Sequence, residues 1–271
     1  MKRPYVLFAN NALAIFLSVV CHLPIAWADA TYAHIELLEG TVSIIDSKGQ
    51  ARIPHIGDPI EVGETIVTGR NGELQARTED HGYVSFRSNT KMKIESYLAN
   101  GGKEDNVVVS LLYGTLRSIT GWIGKNNPSQ YAIRTPSATI GIRGTDHEPH
   151  VILPSENGEK TIAPPGTYEK VNEGSTVVKN KSGEIVVNAK QAAFAPHDSK
   201  SAPKVLERIP EIYKATSNEA RIDARSKELA KEMAEKLQQK QKEVLEKKEA
   251  SEKKEVHKKA AEKKRHPPPE K

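Results

Sequence analysis

The densest group of metal-ligating side chains in this 271-residue sequence is Asp146-His147-Glu148-Pro149-His150. Imidazoles and carboxylates are the donors of zinc centres, and histidines three apart would share one face of a helix. Pro149 excludes a regular helix, and on a strand an odd separation turns His147 and His150 to opposite faces. The expectation is two exposed or half-buried histidines and no metal site. Asp80-His81 reads as a turn pair with no third partner in sight.

Other chemistry fares no better. TGWIGKNN contains Gly124-Lys125, but Ile119 stands where a phosphate-binding loop needs its first glycine and Asn126 where it needs Ser or Thr. Neither a G-x-S-x-G elbow nor an H-E-x-x-H pair occurs. No nucleophile, base and orienting group assemble, so the sequence predicts no enzyme, no catalytic residues and no cofactor.

The elements around these residues are strands. From Ala33 to about Pro196, short alternating segments are separated by Gly, Asn, Asp and Pro. In GELQAR and GYVSFR the apolar residues Leu74, Ala76, Val84 and Phe86 fall at every second position. That pattern predicts one buried face, with Gln75, Arg77, Ser85 and Arg87 on a wet face. IDSKGQ, ANGGKED and NKSGEI carry turn chemistry. EGTVSIIDSKG from Glu39 and EGSTVVKNKSG from Glu173 echo each other, each with a second glycine nine positions after the first. YGTLRS from Tyr113 repeats the Gly-Thr-aliphatic step. The spacing of these three is irregular, which fits a wrapped or layered sheet better than a regular array.

The ends differ from this body. Lys2 and Arg3, the apolar run Ala12 to Val20 and Ala26-Trp27-Ala28 have the order of a signal peptide, with cleavage near Ala28 and a mature start at Asp29. Cys21, the single cysteine, would leave with it, so the mature chain would hold no disulfide, which suits a periplasm. From Glu219 onward seventeen Lys and Arg face twelve Asp and Glu, so the chain's net charge of +5 lies there while the body is near neutral. After the linker 197–204, residues 205–261 predict a charged helix with Ile222, Leu229, Met233 and Leu237 as a thin apolar stripe. A stripe so thin should bury little, leaving a helix separable from the β domain, and Pro-rich 262–271 reads as a disordered end. Glu interleaved with Lys, on a chain with few aromatics, argues against nucleic acid.

One stretch is more specific. IRTPSATIGIRGTDHEPHV resembles the T-P-x-A-x-x-G-x-R-G-T signature of FecR-domain proteins. Thr135, Pro136, Ala138, Gly141, Arg143, Gly144 and Thr145 match it, and His147 replaces an aromatic common there. Upstream, Gly57-Asp58, Gly63-Glu64 and Thr68-Gly69 hold the places of the family's G-D, G-D and T-G pairs, with Glu64 for Asp. The resemblance implies a β-rich domain with solenoid-like layering over 29–196. The family's regulators place this domain in the periplasm and relay a receptor signal to an anti-sigma segment. A cleavable leader stands here where that segment would be.

The matching residues read as structural. Pro136 ends a ladder, and Gly141 and Gly144 permit bends or close approach. Arg143, in an apolar run, should be buried and multiply hydrogen-bonded. The functional expectation is a non-catalytic periplasmic or exported protein-binding module whose partner is an envelope protein. The alternative is a structural envelope protein contacting peptidoglycan or surface polysaccharide. The sequence leaves the oligomeric state open.

Overall fold

A computed structural model describes residues 30–155, 157–232, 234 and 235. The expected leader with Cys21 and the cut at Ala28 lies outside these residues, as do Met233, Leu237 and the expected disordered end. The protein is mainly β.

Among the described residues, fifteen strands join in one sheet. They are β1 (Thr31–Glu39), β2 (Val42–Ile45), β3 (Ala51–Arg52), β4 (Pro59–Glu61), β5 (Thr65–Thr68), β6 (Glu73–Thr78), β7 (Tyr83–Phe86) and β8 (Lys91–Leu98). Then follow β9 (Asn106–Ile119), β10 (Tyr131–Arg134), β11 (Thr139–Ile152), β12 (Gly166–Asn180), β13 (Gly183–Asn188), β14 (Ala192–Pro196) and β15 (Lys204–Val205). A short helix α1 (Trp122–Asn126) separates β9 from β10, and a longer helix α2 occupies 219–232. The turns form as their chemistry dictates: Asp46 Oδ1 accepts from the amides of Lys48 and Gln50, both at 2.8 Å, and Gly49 takes a φ of +82°.

The sheet folds over on itself into two layers. One runs β3-β2-β5-β8, then the first half of β9, β10, the first half of β11, the second half of β12, and β13. The other runs β4-β1-β6-β7, then the second half of β9, the second half of β11, the first half of β12, β14 and β15. Three strands therefore belong to both layers, and several segments that look separate in sequence are halves of one strand. Between the layers lies one apolar core that includes Ile35, Ile44, Ile66, Leu74, Phe86, Ile94, Leu111, Ile133, Ile140 and Val171.

The crossings explain the sequence echo. β9 bends at Gly114 (φ +91°), β11 at Gly144 (φ +57°), β12 at Gly174 (φ +77°), and β1 passes to β2 at Gly40 (φ +61°). Each is followed by Thr or Ser. A Cβ on Gly114 would stand 2.4 Å from the Asn89 carbonyl oxygen, and one on Gly174 would stand 2.2 Å from that of Gly144. Left-handed backbone and close approach both demand glycine here.

The buried face of β6 and β7 is as the alternation implies: Leu74, Ala76, Val84 and Phe86 all point into the core. The opposite face is not wet. Gln75 and Ser85 are fully buried and Arg87 nearly so, because α2 and the segment before it lie across that face. Ile222 and Leu229 are buried against Tyr83 and Ile119. The stripe buries little, as expected, yet the helix docks, because ion pairs flank these two aliphatics.

Candidate protein-binding face

On the outer surface of the second layer, alternation lines up the polar residues of neighbouring strands. Arg77 from β6, Arg87 just after β7 and Arg117 from β9 project outward, followed by Asp146 and Glu148 from β11 and Lys170 and Asn172 from β12. Arg117 grips Asp146 in a two-pronged pair, Nε to Oδ1 at 3.0 Å and Nη2 to Oδ2 at 2.6 Å. Arg87 Nη2 reaches Glu148 Oε2 at 2.7 Å. Lys170 donates to the other oxygen of Glu148, and Asn172 Nδ2 bridges Asp146 at 3.0 Å and Glu148 at 3.1 Å. Burial would lower the Arg117 guanidinium, but hydrogen bonding and charge from Asp146, then Asp223 and Glu219, hold it above its ordinary value.

Helix α2 completes this network from above. Glu219 accepts from Arg117 Nη1 at 2.6 Å and from Arg87 Nη2 at 3.1 Å, and Asp223 lies 2.8 Å from Arg117 Nη2. Glu232 meets Arg77 at 2.7 Å. On the far flank Arg225 pairs with Glu36 of β1 at 2.6 Å and Arg221 donates to the Glu36 carbonyl at 3.1 Å. Asn218 donates to Glu73 at 3.1 Å, and a buried chain continues through Gln75 to Tyr83. Fork-shaped guanidinium groups suit such shared carboxylates better than ammonium groups do.

Beside the network, a groove of about 700 Å³ runs between the crease of β9 and the segment before α2, with Arg87, Asn89, His150, Ile162 and Lys214 among its walls. Arg87 Nη1 donates to the Lys214 carbonyl across it. Tyr213 stacks edge-on against His150 at 6.2 Å, and Lys170 sits over its ring at 5.4 Å. Burial, then the Arg87 charge, presses His150 down to about 4 against the pull of Glu148.

The signature residues lie in the turn after β10 and along β11 up to its crease. Thr135 closes a tight turn with Ala138, its amide and hydroxyl both donating to the Ala138 carbonyl at 2.9 Å. Exposed Pro136 stands just past the end of β10. Thr145 exchanges hydrogen bonds with Thr120, and Gly144 and Thr145 border a small cavity whose other wall is Ser226, Leu229 and Ala230 of α2. Two expectations change. Arg143 is exposed, because strand alternation that turns Ile140 and Ile142 inward turns it outward; the buried arginines are Arg87 and Arg117. Gly141 has neither left-handed backbone nor any atom within 4 Å of a Cβ, so it serves neither a bend nor a close approach.

His147 and His150 do face opposite ways. His147, however, is fully buried and pairs with fully buried Glu169 at 2.7 Å inside the core layer, while His150 is half-buried at the groove. Asp80 also has partners: its Oδ1 accepts from Thr78 at 2.5 Å and from the Tyr97 hydroxyl at 3.1 Å. Burial nevertheless raises its pKa. Among the described residues no group of three His, Cys, Asp or Glu is placed to hold a metal ion, and no helix is long and apolar enough to cross a membrane. Sequence reasoning missed the arginine row. Its signal is present in the arginines at outward positions of successive strands, but alternation alone cannot tell a solvated face from one covered by another segment.

Residues 64–162 match the family model described as FecR protein. The chain carries a FecR domain. The match runs from just before β5 through β11, whereas β1–β4 and β12–β15 lie outside it and complete both layers. No curated protein matches the chain significantly. Two crystal structures of a candidate anti-sigma factor from Parabacteroides distasonis ATCC 8503 resemble it at 11% and 12% identity, with TM-scores of 0.41 and 0.42. Each aligns over 53% of this chain and 59% of the other, so the chain spans little more than half the length of that neighbour. A solved cell surface anchoring domain aligns over 23% of this chain and 82% of its own length, at 31% identity and a TM-score of 0.22. None superposes closely enough to equate residues with those of this FecR domain.

Proposed function

We propose that this chain is a non-catalytic protein-binding module acting in envelope signalling on the periplasmic side, where a leader cut near Ala28 would deliver it. The observation that carries the reading is the arginine face of the FecR domain, a preformed row of guanidinium groups already engaged by a segment of polypeptide. A surface that holds one helix through complementary charge, with an apolar centre at Tyr83 and Ile119, has the composition of a protein-recognition site. The FecR match supports a signalling role over a purely structural one. Arg77, Arg87, Arg117 and Tyr83 are assigned to contact, and Thr135, Pro136, Ala138, Gly144 and Thr145 to holding the fold.

The test is crosslinking in native cells from a photoreactive residue at position 77 or 221, followed by identification of the adduct. A defined envelope protein supports the module. Sedimentation of the chain with peptidoglycan, without a protein adduct, would favour an envelope protein that contacts glycan.

A further inference from the structure

Resting on that reading, we infer that the arginine face is a receptor for an acidic amphipathic helix of a partner protein, and that α2 is a latch that fills the receptor in cis until the partner displaces it.

The charges are arranged in two tiers. The sheet carboxylates Asp146 and Glu148 have side chains only 7% and 1% exposed, whereas those of α2 are more open, 21% for Glu219 and 54% for Asp223. Arg87 holds Glu148 from the sheet and Glu219 from α2, and Arg117 holds Asp146 from the sheet and both Glu219 and Asp223 from α2. Withdrawal of α2 therefore leaves both arginines neutralised by the sheet, and no buried charge is abandoned. The departing carboxylates return to water from positions already partly solvated, where salt screens them. The apolar part of the contact is also small, Ile222 and Leu229 over Tyr83 and Ile119. A permanent roof would be built mainly of apolar contacts; this one is polar and removable, as transient interfaces within a chain are.

The same geometry describes the partner. It is a helix with carboxylates four residues apart, in the places of Glu219 and Asp223, and with aliphatics three and ten residues after the first, in the places of Ile222 and Leu229. The groove beside Arg87 would accept the chain entering that helix, as it now accepts Lys214.

The test uses the full chain and a fluorescein-labelled peptide of residues 215–235. In the wild type the latch competes, so the peptide should bind weakly. In Glu219→Gln/Asp223→Asn the latch is loosened, and binding should tighten by about tenfold or more as the open form becomes populated. Adding Arg77→Glu to that variant should weaken binding again; Arg77 is partly exposed, so this change leaves the fold intact, as circular dichroism will verify. Equal affinity of wild type and loosened variant, or equal binding of a scrambled peptide, overturns the inference. A concentration-dependent dimer of the wild type formed by exchange of α2 overturns the cis latch. If the peptide fails while crosslinking still captures an envelope protein, the latch is wrong and the module stands; if neither binds, the module fails as well.

Discussion

Arg117 of β9 donates to Glu219 of α2 at 2.6 Å across 102 positions of chain. The contact joins the middle of the FecR domain to a segment whose composition marks it as a separate tail. It also shows why side-chain exposure cannot be read from one strand's alternation alone.

Replacing Arg117 should be among the costliest changes on this face. Arg117→Ala strands Asp146, so denaturant unfolding should show a loss of about 3–5 kcal/mol. Arg143→Ala, at an exposed position, should stay within about 0.5 kcal/mol of wild type. An equal loss in both would mean that the two arginines have been assigned to the wrong roles.

Two glycines of β11 and β12 should behave in opposite ways. Gly174→Ala meets the Gly144 carbonyl at 2.2 Å with φ at +77°, and should cost at least about 3 kcal/mol. Gly141→Ala meets nothing and sits in ordinary extended backbone, so it should be neutral or stabilise by up to about 1 kcal/mol. Thermal melts of the two variants decide this directly.

The buried His147–Glu169 pair invites a double-mutant cycle. His147→Phe alone restores the family's aromatic but leaves Glu169 alone in the interior, and should destabilise by several kcal/mol. His147→Phe with Glu169→Leu removes both partners and should recover most of that loss. Additive losses would show that the two side chains do not depend on each other.

His150 sets a pH dependence. Its folded pKa of about 4 lies below the ordinary 6.5, so between these values the unfolded chain binds the additional proton. Its contribution to stability is complete above pH 6.5 and falls as pH drops toward 4, by about 1.4 kcal/mol per pH unit at most. His150→Gln should flatten the change in urea midpoint between pH 7 and pH 5. An unchanged slope would place the titration elsewhere.

Much of the fold was legible. Leu74, Ala76, Val84 and Phe86 point inward because strand alternation is a local property. Pro136 could be placed at the end of a ladder because it lacks an amide hydrogen, also a local property. What could not be read was long-range. Nothing near Arg87 in sequence announces Glu148 or Glu219, and nothing near Ile222 announces Tyr83. Arg143 has apolar neighbours in sequence, but Ile140 and Ile142 point into the core and alternation turns Arg143 to the opposite, exposed face.

The creases at Gly114, Gly144 and Gly174 stand thirty residues apart. Each thirty-residue stretch crosses from layer to layer and contributes backbone to both. A shorter insertion would put one layer out of step with the other and turn apolar side chains away from the core. Length in this part of the domain is therefore quantised. In related chains the strands here should grow or shrink by about one whole coil at a time, while the loop between β11 and β12, which holds exposed Ile162 and belongs to neither layer, varies freely.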